Sequence, residues 1–311
     1  MSPIVACPIC SASAVSWFAS QTDRRKGLSG RWDYWVCSIC EVIFLHPTPS
    51  VKDLIEYYAK YYPANDSSDQ SAPGLGTRHS LLRQIFHALS GDVDPRDFIR
   101  FKRGSRILDY GSGGGAYMHF FQARGATISG IELSPLMVEQ CRKSNLDVNL
   151  VANFDKLPYP DGEFDVIYLM QVLEHLHNPQ VIMSELSRTL AKTGKIYIAV
   201  PNGRSVWARV FGSNWLSGWF APFHLFLYSV KSLSVLANMH GLRITQTWSR
   251  TPESWFLLNL SARVHNTRGQ IEVDRTGLGS HLVRFLAMLP LRAIDLITRE
   301  NDCLVVELVK A

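Results

Sequence analysis

Short apolar runs and amphipathic stretches alternate along the central part of the chain. The apolar runs are RILDY (106–110), ATISGIEL (126–133), VNLVAN (148–153), FDVIYLMQ (164–171), KIYIAV (195–200), GLRITQTWSR (241–250) and DCLVVELVK (302–310). Segments with apolar residues at helical spacing lie between most of them. This alternation is typical of a doubly wound, Rossmann-like α/β fold, and it predicts a seven-stranded, mostly parallel sheet with helices on both faces.

The first apolar run leads into a glycine-rich turn, RILDYGSGGG at 106–115, and a helix is predicted directly after it. Glycines let the backbone approach a ligand closely, and a helix start directs unpaired N–H groups at that ligand. The second run ends at Glu132, about 20 residues beyond Gly111, where a carboxylate can accept ribose hydroxyls. The letters GSGGGA also satisfy the dinucleotide fingerprint, so at this point a nicotinamide-dependent dehydrogenase is a second interpretation.

Two CxxC pairs near the start of the chain predict a metal site. Their cysteines are Cys7, Cys10, Cys37 and Cys40. Four thiolates on two tight turns suit a tetrahedral zinc ion and leave no open coordination position, so we expect structural zinc in a small ribbon module at 1–50. The alternatives are two unrelated turns with reduced thiols, or a redox pair, which would need a βαβ unit around a single CxxC.

Three further segments complete the predicted domain organisation. A helical connector at 51–100 starts with VKDLIEYYAKYY and contains a mobile, polar loop near 63–78. The core, 101–311, carries an aromatic insertion at 201–228 and a helical insertion at 251–301, whose last part is amphipathic. We expect that amphipathic part to pack on the core or to form a homodimer face, with a substrate lid or peripheral membrane contact as alternatives.

Composition places the chain among globular proteins. Of its 311 residues, 46% are hydrophobic and 19% charged, which disfavours disorder, and the net charge of +5 comes without a long basic run. No secretory signal pattern or bilayer-length apolar stretch is visible, so a cytoplasmic location is expected.

Five motifs occur in order along the core: LDYGSGGG, GIELS, LPYPDGEFDVI, QVLEHLHNP and GKIYIAVPN. Together they resemble the class I S-adenosylmethionine-dependent methyltransferases, and most closely the ubiquinone-type O-methyltransferases and related sugar methyltransferases. The resemblance covers about 102–242 and implies S-adenosylmethionine in place of a nicotinamide. It also implies that the last strand is antiparallel and lies beside the sixth.

The resemblance implies a set of cofactor-binding residues. They are Asp109, Tyr110, Gly111, Gly113, Glu132, Leu133, Asn153, Phe154 and Gln171. Asp109 and the two glycines would line the methionine end, and Glu132 would hold the ribose. Asn153 would lie beside the adenine, where many relatives have Asp.

Three residues are candidates for the chemistry at the mouth of the site. Methyl transfer from a sulfonium is an in-line displacement, and a hydroxyl acceptor must lose its proton. Histidine titrates near neutrality, so His175 and His224 are candidate bases, and in related enzymes the Glu174–His175 pair acts as a base or supports a metal. The alternatives are structural: His175 as a helix-start residue bonded to backbone, and His224 as a residue that orients the turn before Ser229.

The sequence thus predicts a methyltransferase for a small-molecule acceptor, with a sugar or a lipid-linked compound as the candidates. Methyl transfer to a sugar or ring hydroxyl is favoured, with the aromatic insertion as the substrate wall, because rings stack on sugar and ring faces. Transfer to a sugar carbon stays open. Nucleic acid, read by the zinc ribbon, is a further alternative that we do not favour.

Overall fold

A computed structural model of the chain describes residues 5–23, 28–61, 98–265, 293–295, 297–298 and 300–311. The predicted loop near 63–78, the rest of the predicted connector up to 97 and most of the amphipathic part of the helical insertion lie outside the described residues. None of the described helices is both long and apolar enough to cross a lipid bilayer.

The described chain alternates strands and helices through its central part. In chain order the strands are β1 (Val5–Ala6), β2 (Ser13–Gln21), β3 (Trp32–Cys37), β4 (Ile43–His46), β5 (Arg106–Tyr110), β6 (Thr127–Glu132), β7 (Asp147–Leu150), β8 (Phe164–Met170), β9 (Leu190–Pro201), β10 (Phe226–Leu227), β11 (Leu242–Arg250) and β12 (Cys303–Lys310). The α-helices are α1 (Val51–Tyr61), α2 (Ala116–Gln122), α3 (Pro135–Lys143), α4 (Pro179–Thr189), α5 (Val206–Phe211), α6 (Val230–Asn238) and α7 (Glu253–His265). Short 3₁₀ turns cover Leu173–His175 and Gly212–Asn214.

The larger sheet has seven strands in the order β11-β12-β9-β8-β5-β6-β7. Strands β5 to β9 are parallel, whereas β12 runs antiparallel to both β9 and β11. This confirms the predicted mostly parallel sheet with an antiparallel last strand. Because the chain winds outward in opposite directions from β5, a crevice is expected at the carboxyl ends of β5 and its neighbours, where doubly wound sheets bind ligands.

Local signals in the sequence set the ends of two helices on this sheet. The Ser134 hydroxyl accepts a hydrogen bond from the Met137 amide at 3.4 Å, and Pro135 occupies the first turn of α3. Ser229 and Ser232 form a reciprocal capping box at the start of α6. These caps determine the residue at which each helix begins.

The aromatic insertion belongs partly to the smaller sheet, whose order is β1-β2-β3-β4-β10. Strand β10 lies in the insertion and pairs antiparallel with β4, so that Phe226 is opposite Phe44 and Leu227 is opposite Ile43. The small sheet is therefore completed by a strand that is distant in sequence. One hydrophobic core includes buried residues of both sheets.

The aromatic side chains of the insertion lie in this shared core. Seven rings are at most 8% exposed: Trp207, Phe211, Trp215, Trp219, Phe220, Phe223 and Phe226. The Trp219 ring contacts the rings of Phe18 and Tyr34, with centroids 5.2 and 5.0 Å away. The Trp207 and Phe211 rings contact Phe256 of α7. The structure thus places these rings in the interior and not on a substrate-facing wall, and this packing removes their apolar surface from water.

Truncating one of these rings should destabilise the whole protein. We expect Trp215→Ala, at a fully buried ring, to lower the free energy of unfolding by about 3–5 kcal/mol, because it removes apolar burial and leaves a cavity. Urea unfolding monitored by circular dichroism measures the change. The matched control is Trp17→Ala, whose ring is 56% exposed, and a similar loss in both variants would contradict the assignment of the insertion to the core.

Candidate active site and cysteine cluster

The four cysteines of the two CxxC pairs come together in the small sheet. The Sγ atoms of Cys7 and Cys40 are 3.6 Å apart, and those of Cys10 and Cys37 are 3.4 Å apart. Ligand atoms of all four residues lie within 4.8 Å of one another. Thiolates bound tetrahedrally to zinc at about 2.3 Å are roughly 3.8 Å apart, so the cluster matches a zinc site closely.

Each CxxC pair forms the same kind of turn. The Ile9 amide donates to the Cys7 Sγ and the Ile39 amide donates to the Cys37 Sγ, both at 3.4 Å. The Cys40 thiol lowers the pKa of Cys7 to about 5, which favours a thiolate within the cluster. None of the described cysteines forms a disulfide. The arrangement therefore offers a set of four sulfur ligands to a metal ion.

The glycine-rich turn after β5 shapes the cofactor side of the site. Gly111 has φ 82°, and a Cβ there would lie 2.8 Å from the Val172 Cγ2 atom, so glycine is required for close packing. Gly113 has φ 50°, and a Cβ there would meet no atom within 4 Å. The backbone at Gly113 thus has a left-handed conformation, and the space next to its Cα is open. Both features are expected of a turn that a ligand approaches.

Glu132 lies across from this turn at the end of β6. Its Oε2 accepts a hydrogen bond from the Gly113 amide at 2.9 Å, and its Oε1 accepts from the Leu133 and Ser134 amides at 2.7 and 2.9 Å. Three backbone amides therefore hold the carboxylate in place. Oε2 retains acceptor capacity for a ribose hydroxyl, because an ionised carboxylate oxygen has two lone-pair sites and this one accepts a single hydrogen bond.

Asp109, the fourth residue of β5, is a buried carboxyl group that is not satisfied. It is 4% exposed, and its Oδ2 has no hydrogen-bond partner among the described residues. Burial raises the pKa of Asp109 to about 7, against a smaller lowering by the Tyr168 hydroxyl. A buried carboxylate of this kind lowers the stability of the protein without a ligand, and a cationic ligand would stabilise its ionised form.

Other residues predicted to bind the cofactor differ in their exposure. The Tyr110 side chain is fully buried and donates to the Phe154 carbonyl at 2.8 Å, so its ring supports Phe154 and does not face the crevice. Asn153 is exposed, and its Oδ1 accepts from the Asp155 amide. Leu133 is 42% exposed and follows Glu132 directly. Asn153 and Leu133 thus remain accessible to a ligand.

Gln171, directly after β8, has φ 58°, a conformation that is uncommon for a residue with a side chain. Its backbone N–H donates to the Ala199 carbonyl at 2.9 Å, and its side-chain Nε2 lies 3.6 Å from the Cys303 Sγ. Backbone strain of this kind persists where the surroundings hold it, often at functional sites. No local pattern pointed to Cys303, because it lies 132 positions further on and only the antiparallel insertion of β12 brings it here.

Glu174, His175 and His224 form the second cluster at this end of the sheet. One ligand atom from each lies within 4.8 Å of the others, and the two imidazole rings have centroids 4.8 Å apart. The His175 Nδ1 contacts the Phe223 carbonyl at 2.9 Å, and the His224 Nδ1 contacts the Gly218 carbonyl at 2.8 Å. Because a carbonyl only accepts, Nδ1 is the donor in both rings, and the neutral rings present Nε2 as the acceptor.

Glu174 lies beneath the two histidines and is fully buried. Neither carboxyl oxygen has a hydrogen-bond partner among the described residues, and Oε1 is 3.9 Å from the His175 Nε2. Burial raises the pKa of Glu174 to about 8. The cluster can therefore take up a proton or favour a positive charge on the neighbouring imidazole.

A family model described as "Methyltransferase domain" matches residues 77–247. The chain belongs to this methyltransferase-domain family. Among curated proteins it is similar to ubiquinone biosynthesis O-methyltransferases. The protein from Thiobacillus denitrificans is 30% identical over 121 residues, which are 36% of this chain and 52% of that protein. The protein from Dechloromonas aromatica is 28% identical over 105 residues, 32% of this chain and 45% of that protein. The chain spans about half the length of these relatives.

Two solved structures share the fold of this methyltransferase-domain protein. The [4+2]-cyclase SpnF gives a TM-score of 0.52 at 17% identity, covering 85% of this chain and 97% of that one. A complex between the Haloferax volcanii Trm112 methyltransferase activator and a methyltransferase gives 0.51 at 18% identity, covering 84% and 99%. Since one of these neighbours is titled a cyclase, the shared fold does not define the reaction, which must be argued from the site.

The buried carboxyl of Asp109 should make folding depend on pH. With a folded pKa of about 7 and an unfolded pKa of about 4, Asp109 weakens folding progressively as the pH rises between these values, and no further above 7. Asp109→Asn removes this titration. Its melting temperature should therefore rise relative to the parent protein from pH 5 to 7 and then keep a constant difference to pH 8.

Differential scanning fluorimetry at these pH values measures the trend. The exposed Asp147→Asn serves as a control that should show no such trend. A difference between Asp109→Asn and the parent that does not change with pH would contradict the assignment of a buried, partnerless carboxyl.

Proposed function

We propose that the protein transfers a methyl group from S-adenosylmethionine to an oxygen of a small-molecule acceptor. The observation that carries the proposal is the buried carboxyl of Asp109, whose Oδ2 has no hydrogen-bond partner among the described residues, beside a glycine turn that is open at Gly113. A cationic ligand would supply the missing partner. Family membership and the glycine turn facing Glu132 support the same cofactor.

The residues present fit this cofactor. Asp109 would hold its positively charged methionine end, the amides of the turn would approach it closely, and Glu132 would accept the ribose hydroxyls. Phe154 and the accessible Asn153 would lie beside the adenine, as the family resemblance implies. When bound, the cofactor supplies an electrophilic methyl group on a sulfonium.

His175 is the proposed general base, with His224 beside it as the second candidate. The Phe223 carbonyl orients the His175 ring so that Nε2 can accept the acceptor hydroxyl's proton. The buried Glu174 lies 3.9 Å from that nitrogen, and its ionised form, which is favoured above its raised pKa of about 8, would stabilise the imidazolium that results. The three side chains also have the donor types of a divalent-cation site, so assays should include a chelator arm.

For the acceptor we favour a ring hydroxyl, because the curated relatives are named ubiquinone biosynthesis O-methyltransferases. A sugar hydroxyl and a sugar carbon are the alternatives. The argument for a sugar depends on exposed aromatic rings in the insertion, and those rings are buried. Homodimerisation, membrane contact, a lipid-linked acceptor and a cytoplasmic location stay predictions.

We also propose that the four-cysteine cluster holds structural zinc, a role supported by the 3.4 and 3.6 Å sulfur separations. The small sheet is attached to the core through β10, and the core residue Gln180 donates to the Ile9 carbonyl within the first CxxC turn at 2.6 Å. These contacts support a structural role for the module over a role in reading nucleic acid.

Cofactor binding can be tested with S-adenosylhomocysteine, the demethylated product. Calorimetry should show one site in the parent protein and binding about tenfold weaker or more in Asp109→Asn and Glu132→Gln, since each loses a hydrogen bond to a charged group. Affinity in the parent should fall below pH 7 by about tenfold per pH unit, because a proton competes for Asp109. Asp147→Asn should bind normally, and an absence of binding to the parent protein would refute the proposal.

Turnover can be tested with a catechol acceptor such as 3,4-dihydroxybenzoate, followed as methylated product by mass spectrometry. His175→Ala should lower kcat by about 10²–10⁴-fold, because general-base catalysis is lost, while the affinity for S-adenosylhomocysteine changes little. His224→Ala tests the second candidate in the same way, and His119→Ala, on α2, is the control. If both site variants keep the full rate, neither histidine is the base.

A further inference from the structure

The part of the chain that holds the four cysteines, residues 5–50 as far as they are described, is here called the cysteine module. It contacts the segment that carries His224. Tyr34 of β3 is fully buried, and its hydroxyl donates to the His224 carbonyl at 3.2 Å. The next residue along, Leu225, accepts a hydrogen bond from the Leu45 amide at 2.9 Å, and β10 then pairs with β4. The backbone at the His224 carbonyl and directly after it is thus fixed by residues of the module.

The module also contacts the segment that follows Glu174 and His175. The His177 Nε2 lies 2.9 Å from the Pro49 carbonyl. The Gln180 Nε2 donates to the Ile9 carbonyl at 2.6 Å and to the Pro8 carbonyl at 3.2 Å. Pro8 and Ile9 are the two residues between Cys7 and Cys10, so this contact is made by the metal-binding turn itself.

The two site segments bind each other as well. The Leu225 amide donates to the Glu174 carbonyl at 2.8 Å, and the His175 ring donates to the Phe223 carbonyl at 2.9 Å. Hydrogen bonds therefore run from the CxxC turn to the segment after His175, from there to the segment around His224, and back to the module through Tyr34. By contrast, the bonds that shape the cofactor turn, from Gly113 to Glu132, are made within the core.

We propose that the cysteine module positions the acceptor side of the active site, with Tyr34 as a positioning residue for His224. Metal loading of the four cysteines then governs methyl transfer without governing cofactor binding. This inference rests on the proposed function, because it assigns the module to the histidine pair of that reaction.

The physical reason is the size of the module. A module of only about 50 residues is below the size at which a protein usually folds on its own core, so we expect its order to depend on bound metal. Without metal, the β3 and β4 strands lose the support of the CxxC turns, and the bonds from Tyr34 and Leu45 to the segment around His224 are lost with them. A displacement of about 1 Å at a catalytic group can reduce turnover by about 100-fold.

The first experiment isolates the hydroxyl of Tyr34. Tyr34→Phe keeps the ring that packs on Trp219 and removes only the bond to the His224 carbonyl. We expect kcat on 3,4-dihydroxybenzoate to fall at least tenfold, with zinc content and the Kd of S-adenosylhomocysteine within twofold of the parent values. Amide hydrogen exchange in 223–228 should become faster, whereas exchange in 106–115 should not change.

The matched control is Tyr197→Phe, which also removes a buried hydroxyl with a hydrogen bond, to Glu307 at 2.8 Å in β12. It should leave both kcat and exchange in 223–228 unchanged. An equal loss of kcat in the two variants would show that Tyr34 acts only through general stability and would overturn the assignment.

The second experiment removes the metal from the full-length protein with a chelator and returns zinc afterwards, alongside Cys37→Ser. Exchange should accelerate at least tenfold in 174–180 and 223–228 and recover with zinc in the parent protein but not in the variant. The Kd of S-adenosylhomocysteine should stay within twofold. Unchanged exchange in these segments, or a parallel loss of cofactor affinity, would overturn the proposal. If the parent protein binds no S-adenosylhomocysteine, the proposed function fails, while the exchange data still decide whether the module holds these segments.

Discussion

Two buried carboxyl groups have oxygens without a hydrogen-bond partner among the described residues, Oδ2 of Asp109 and both oxygens of Glu174, near the ends of the neighbouring parallel strands β5 and β8. Burial raises the pKa of Asp109 to about 7 and that of Glu174 to about 8. A folded protein retains such groups at a cost in stability, and they are concentrated at functional sites. Their placement marks two sides of the candidate site, which we propose as a cofactor side at Asp109 and an acceptor side at Glu174.

The two sides are built in different ways. On the cofactor side, a glycine turn and Glu132 are positioned by the larger sheet and by hydrogen bonds between residues close in the fold. On the acceptor side, His175 and His224 come from different segments and are oriented by backbone carbonyls at Phe223 and Gly218. Those segments are fixed in turn by the small sheet. A methyltransferase-domain core and a cysteine module therefore share one hydrophobic core, and the module contacts both segments that carry the histidines of the candidate site.

The alternation of apolar runs was enough to predict the larger sheet, because parallel strands buried on both faces need nearly continuous apolar sequence. The glycine turn and Glu132 were also predictable from local sequence, because positive φ favours glycine and because the acid directly follows an apolar run. The paired CxxC motifs predicted the cysteine cluster for the same reason. Tyr110 shows the limit of such reasoning: it lies within the cofactor motif, but its side chain is buried in the core and bonded to Phe154.

The sequence by itself determined the strand and helix order, the cofactor turn and the candidate metal ligands, because each depends on residues close together in the chain. Only the tertiary structure decided that β10 completes the small sheet, that the aromatic insertion is interior, and that Tyr34 contacts His224 across 190 positions. An aromatic run has the same composition whether it faces a substrate or another sheet. Which surface it meets is decided by long-range packing, and no local pattern records that choice.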